Sequence, residues 1–183
     1  MLVIPNAVLL LPDTVARPGV VVLDGDKIAA AGPEDAVEVP ASTDVLDAGG
    51  GYVTPGFIDV HVHGGGGADF MDATPHAVRT VCRFHAAGGT TGLLATTAAA
   101  PSDELLRALD VIATVQREGT GGAAILGVHL EGPFLGGAPG AHPVDLLRPA
   151  DPAWLSRVLD AHPGLVRVVT LAPEADPALT AIR

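Results

Sequence analysis

From Tyr52 onward the chain alternates short apolar runs with longer amphipathic stretches, and this alternation restricts the possible folds more than any other feature. The run "FIDVHVH" precedes a helical pattern over residues 75–87, "GLLATT" precedes one over 102–118, and "ILGVHLE" precedes a loop and a helical pattern over 152–161. A fourth run, "RVVTLA", leads into "DPALTAIR", which reads as a helix beginning at Asp176. Parallel strands need crossover connections, and helices between strands supply them, so the expected architecture is α/β with a parallel sheet. Units of this size build either an open doubly wound sheet or a (β/α) barrel. Four units cannot close an eight-stranded barrel. The chain therefore reads as the N-terminal half of something longer, either truncated at Arg183 or completed by a partner.

Residues 1–52 have a different rhythm. Short β runs, "LVIPNAVLLL", "GVVVLDGDKIAAAG" and "AVEVPASTDVLDAGGG", are separated by turn residues, and Asp24-Gly25 marks a hairpin with room for more than a two-residue turn. This predicts a small β module over 1–52, too short for a large core, followed by the strand-helix region over 53–183.

Composition sets the classes of partner. With 48% hydrophobic and 17% charged residues the chain can bury a core, so it is not a disordered sequence. Ten Lys and Arg against 21 Asp and Glu give a formal charge of -11, which repels nucleic acid and anionic membranes. An anionic small molecule would need a local positive site that overrides this field. Cys82 is the single cysteine, which excludes an internal disulfide and favours a reducing compartment. The N-terminus lacks a basic region and is broken by Pro5 and Pro12, so it reads as strand rather than signal peptide. No apolar segment approaches the roughly 18 residues of a membrane helix. The expected location is the cytoplasm.

The chemistry concentrates at strand ends. On a regular strand Phe57, Asp59, His61 and His63 share one face, and Ile58, Val60 and Val62 share the other. Two imidazoles at i and i+2 can bridge one divalent cation, whereas a lone strand histidine is usually structural. Gly64 to Gly67 then allow a sharp turn and leave space for a ligand beside the metal. Glu131 closes "ILGVHLE" on the same face as His129; it is either a solvated rim carboxylate or a buried one whose cost a cation would offset. Asp59 lies deeper and orients a ligand or fills the barrel floor. Asp69 and Asp72 read as turn or helix-entry residues, and His76, His85 and His162 as surface or packing residues. His129 is a candidate supporting contact beside Glu131. No Gly-x-Ser-x-Gly elbow occurs, which argues against serine catalysis. Ser102 reads as a helix N-cap.

These motifs resemble a known group. "PGFIDVHVHG" is similar to the first-strand signature of the metal-dependent amidohydrolase superfamily, whose members pair a small β-sandwich with a (β/α)8 barrel, and "VVLDGDKIAAAG" is similar to its sandwich strands. Within it, "GVHLEGPFL", "GAH" at Gly140 to His142 and "VVTLAPE" at Val168 to Glu174 resemble the N-acetylglucosamine-6-phosphate deacetylase family. The resemblance spans all 183 residues and implies a β-sandwich portion followed by the first four units of a (β/α)8 TIM-like barrel, left incomplete. Relatives such as dihydroorotases use a carbamylated lysine on the fourth strand. Here the single lysine is Lys27, in the β module, so a carboxylate must take that place.

The resemblance further implies that Glu131 is the central metal ligand, that His61 and His63 serve a second metal position, and that Ala141 and His142 touch the sugar. The implied reaction is hydrolysis of N-acetylglucosamine 6-phosphate to glucosamine 6-phosphate and acetate. Zinc, iron or manganese would suit the donors. The general-base aspartate, two further histidine ligands and the phosphate contacts are expected beyond Arg183, and a full-length protein is expected to be a homodimer. The chain alone is expected to be inactive. Two alternatives stand beside this: another amidohydrolase acting on a cyclic amide or as a deaminase, and a metal-binding fragment or assembly half without turnover.

Overall fold

The computed structural model describes residues 1–137, 139–176 and 180–182. It divides into two compact units, Met1–Pro55 and Gly56–Arg183.

In the first unit β1 (Leu2–Leu10), β2 (Val15–Asp24) and β3 (Lys27–Pro33) form an antiparallel meander, and the short β4 (Asp44–Val45) and β5 (Tyr52–Val53) pair parallel to β1. The apolar residues of β1 and β2 divide between two clusters, Val3, Val20 and Val22 in one and Ala7, Leu9, Ala16 and Val21 in the other. Val3 and Ala7 would share a face on a regular strand, and the register shift between Ile4 and Ala7, where Asn6 takes φ 59, separates them. Asp24 pairs with Lys27, so the hairpin uses a two-residue turn, shorter than "DGDK" allows. Gly25 takes φ 60 there, a conformation that glycine adopts without a Cβ penalty.

The second unit holds a parallel sheet of β6 (Phe57–Val62), β9 (Thr90–Thr96), β10 (Ala124–Glu131) and β11 (Val166–Thr170). Its spatial order β6-β9-β10-β11 follows the chain order. A doubly wound sheet reverses direction at a switch point, and these four strands show no reversal. Between β6 and β9, β7 (Gly64–Gly65) and β8 (Ala68–Asp69) make a small antiparallel hairpin.

Three helices cross over: α1 (Pro75–Ala87), α2 (Ser102–Glu118) and α3 (Pro152–Ala161), on the spans the periodicity predicts. Proline opens α1 and α3, where its missing N–H costs nothing, and the Thr74 and Asp151 side chains accept the Ala77 and Trp154 N–H groups. Ser102 corrects an expectation. It is the first helical residue of α2, Pro101 holds the cap position, and no side chain caps the end. Asp103 and Glu104 instead place negative charge at the positive end of the helix.

Leu93, Val128 and Leu130 of the sheet meet Val78 and Val81 of α1, Leu105, Leu109 and Ile112 of α2, and Trp154 and Val158 of α3 in one core. Each such aliphatic side chain contributes about 1.5–3 kcal/mol on burial. This core fixes the helix layer and leaves the strand ends free for chemistry. The helix expected from Asp176 involves residues 177–179 and 183, outside the described residues. Among the described residues, no helix is long and apolar enough to cross a membrane.

Candidate metal centre

Strand β6 is less regular than its sequence pattern. Asp59 pairs with Leu93 and Val62 with Ala95, so three steps on β6 face two on β9 and the strand bulges at Val60–His61. Burial is uneven along one set of alternate positions, with Val62 buried while Ile58 and Val60 are exposed. Side chains stabilise the bulge. The Asp59 carboxylate accepts the His61 N–H at 3.0 Å, and Thr96 Oγ1 accepts the Val62 N–H at 3.0 Å. Asp59 thus orients His61 through its backbone.

Past the bulge, His61, His63 and Glu131 converge, with one potential ligand atom from each lying within 4.8 Å of the others. Glu131 Oε2 is 3.0 Å from His63 Nε2 and 3.7 Å from His61 Nε2. Ligand atoms sharing a cation at about 2.0–2.2 Å lie roughly 3–4.4 Å apart, so this spacing fits one divalent ion. The Glu131 side chain is only 18% exposed, and its Oε2 is buried with no hydrogen-bond partner of good geometry. A buried carboxylate oxygen left in that state is costly. A cation at this point removes the cost, and the donor set of two imidazoles and one carboxylate suits it.

His142 reaches the same oxygen, its Nε2 lying 3.4 Å from Glu131 Oε2. Its other nitrogen, Nδ1, accepts the Ala99 backbone N–H at 3.1 Å. A nitrogen that accepts carries no proton, so the neutral ring bears its proton on Nε2 and presents a donor to the site. Ala141, the other residue expected at the sugar, is exposed beside it.

His129 lies under the cluster, its ring centroid 4.9 Å from that of His61. Its Nε2 pairs with Thr170 Oγ1 at 2.7 Å, which ties β10 to β11 below the site. Burial, and then the neighbouring His61, push its pKa below the ordinary histidine value, against weaker opposition from the Val60 carbonyl and Glu131. The ring is therefore neutral at physiological pH.

The glycine run makes the expected sharp turn, but Gly64 and Gly65 do not leave the expected space for a ligand. Gly66 and Gly67, at φ 64 and 81, make the turn of the β7–β8 hairpin. A Cβ on Gly64 would collide with the Ala68 carbonyl oxygen, and one on Gly65 would meet Phe84 Cδ1 at 2.6 Å and His85 Nε2 at 2.9 Å. The space beside Gly64 is filled by β8 and that beside Gly65 by α1, so these two permit close packing rather than a ligand, whereas Gly67 has open space beside it.

The remaining residues divide clearly. Asp69 caps the short 3-10 turn Phe70–Asp72 and Asp72 closes a capping box with it, as turn residues should. His76 is exposed, and His162 caps the end of α3 with Nε2 3.5 Å from Asp110 Oδ1. His85 packs against the glycine hairpin, and beyond packing its Nε2 lies 2.9 Å from the Gly64 carbonyl oxygen. Thr96, Thr170 and the Ala99 amide were not singled out by sequence. The paired threonines at the end of "GLLATT" were a usable signal, whereas a backbone amide has none.

Residues 52–183 match the amidohydrolase family. The chain is 40% identical over 146 residues to N-acetylgalactosamine-6-phosphate deacetylase of Escherichia coli O157:H7, covering 79% of this chain and 38% of that protein. It is 33% identical over 186 residues to N-acetylglucosamine-6-phosphate deacetylase of Bacillus subtilis, covering 100% and 47%. The crystal structure of N-acetyl-D-glucosamine-6-phosphate deacetylase from Mycobacterium smegmatis superposes with a TM-score of 0.85 at 39% identity, covering 100% of this chain and 46% of that one. The chain thus spans less than half the length of these relatives. Its fold is the α/β fold of the N-terminal part of such deacetylases, and the chain belongs to the amidohydrolase family.

Proposed function

We propose that this chain is the N-terminal part of a metal-dependent deacetylase that converts N-acetylglucosamine 6-phosphate to glucosamine 6-phosphate and acetate. The single observation that carries this reading is the buried, unpartnered Glu131 Oε2 facing the Nε2 atoms of His63, His142 and His61. The names of the relatives supply the substrate class. Residues 1–52 would contribute part of a β-sandwich and residues 53–183 the first four units of an eight-unit barrel, in keeping with the unreversed strand order.

His61, His63 and Glu131 would hold the cation, with zinc, iron and manganese all compatible with the donors. When bound, such an ion polarises the amide carbonyl and lowers the pKa of bound water toward about 7. His142 donates from Nε2 to an oxygen of the sugar or the acetyl group, its tautomer set by Ala99, and Ala141 lines the same edge. His129 and Asp59 keep the histidine backbone and rings in place. The general-base aspartate and the phosphate contacts lie outside these 183 residues in this reading. The net charge of -11 makes a local cationic phosphate site necessary there. The complete enzyme acts as a cytoplasmic homodimer, with neither nucleic acid nor membrane as partner.

A second reading is the N-acetylgalactosamine epimer, named for one relative that is 40% identical to this chain. Acetate release from each sugar phosphate, by the polypeptide of the full reading frame loaded with metal, tests both. Faster turnover of one epimer assigns the substrate. Absence of acetate from either, with metal bound, contradicts deacetylation.

A further inference from the structure

We infer that His85 of α1 is a positioning residue for the metal centre, holding the Gly64 carbonyl and so the backbone that presents His63. This inference rests on the metal-site reading above. The ladder of β6 ends at Val62. The amides of His61 and Val62 are secured by Asp59 and Thr96, but His63 lies beyond the last strand pairing. Its placement therefore depends on the hairpin that follows.

Two consecutive carbonyls hold that hairpin. The His63 carbonyl accepts the Phe70 N–H at 2.9 Å, and Phe70 is fully buried, which anchors one side. The Gly64 carbonyl faces His85 Nε2 at 2.9 Å. A carbonyl only accepts, so Nε2 carries the proton and the ring donates. Gly65 makes this approach possible, because a Cβ there would lie 2.9 Å from His85 Nε2. The neighbouring Phe84 ring stands edge-on to His85, with centroids 5.3 Å apart. The absent Cβ groups of the glycine run and the α1 imidazole thus form one device. It sets the angle at which His63 meets Glu131.

The test titrates zinc alone into the 183-residue chain by calorimetry, comparing the wild type with His85→Ala and His85→Gln, whose amide retains a donor. Hydrogen exchange of the Phe70 amide is followed in parallel without metal. The expected result for His85→Ala is zinc affinity weakened about 10- to 100-fold, the usual effect of losing a supporting partner, with faster Phe70 exchange. His85→Gln should recover most of both. Wild-type affinity and wild-type Phe70 protection in His85→Ala would overturn the inference. Loss of global folding in both variants would also overturn it, by assigning His85 to the stability of the unit rather than to His63. If the wild type itself takes no zinc, the metal reading fails, and Phe70 exchange alone decides whether the clamp exists.

Discussion

His63 Nε2 lies 3.0 Å from Glu131 Oε2, although β6, which leads into His63, and β10, which ends at Glu131, do not pair and β9 runs between them. Neighbouring strands are about 4.8 Å apart, so the two side chains meet across the end of β9. They can do so because the next residues of that segment, Thr96 and Thr97, are small and fully buried. His63 is closer to Glu131 than His61 is, and its side chain is 35% exposed against 47%. These distances and exposures rank the two. His63→Ala should weaken zinc binding more than His61→Ala, by calorimetry on otherwise folded chains, and the reverse order would show that His61 is the principal ligand.

Gly64→Ala should destabilise the second unit by about 1–3 kcal/mol, the range for forced overpacking. The colliding atom is the Ala68 carbonyl oxygen, backbone that cannot rotate away as a side-chain tip could. Gly67→Ala, with no atom within 4 Å of its Cβ, should cost only the strain of φ 81. Urea unfolding of the two variants reads the difference, and equal midpoints would refute the packing role of Gly64.

Cys82 is buried in the core, and that burial raises its thiol to about 11 despite an opposing pull from Arg83. The folded state thus binds the thiol proton more tightly than the unfolded chain does. This stabilises the fold below about pH 9 and is lost as pH rises from there through about 11. Native protein should resist alkylation at pH 8, with full reaction after denaturation, as read by mass spectrometry. Rapid labelling of the native chain would contradict the burial.

The His142 ring should carry its proton on Nε2 at neutral pH, because Nδ1 accepts from Ala99. Nitrogen-15 NMR of labelled histidine distinguishes the tautomers directly. A protonated Nδ1 would remove the donor assigned to this residue.

Much of this was legible in the sequence, because it follows from periodicity. The spans of α1, α2 and α3 and the strand ends bearing His61, His63 and Glu131 follow from local pattern and flanking Gly and Pro. The bulge in β6 was not legible, since register depends on a partner strand some 30 residues away and on the side chains of Asp59 and Thr96. The glycines were recognised as a turn, but their packing against Phe84 and His85 is tertiary and leaves no local mark. Ser102 misled because Ser before an acidic first turn is a common cap, and Pro101 occupies that place instead. The donor that sets His142 is the backbone of Ala99, which no side-chain pattern encodes.

The central claim, a cation held by His61, His63 and Glu131, is tested most directly by zinc calorimetry on the wild type and on Glu131→Gln. That substitution keeps the side-chain shape and removes the charge. The account predicts saturable binding to the wild type and loss of that binding in the variant, with circular dichroism unchanged. Equal binding by both chains, or none by the wild type, would contradict it.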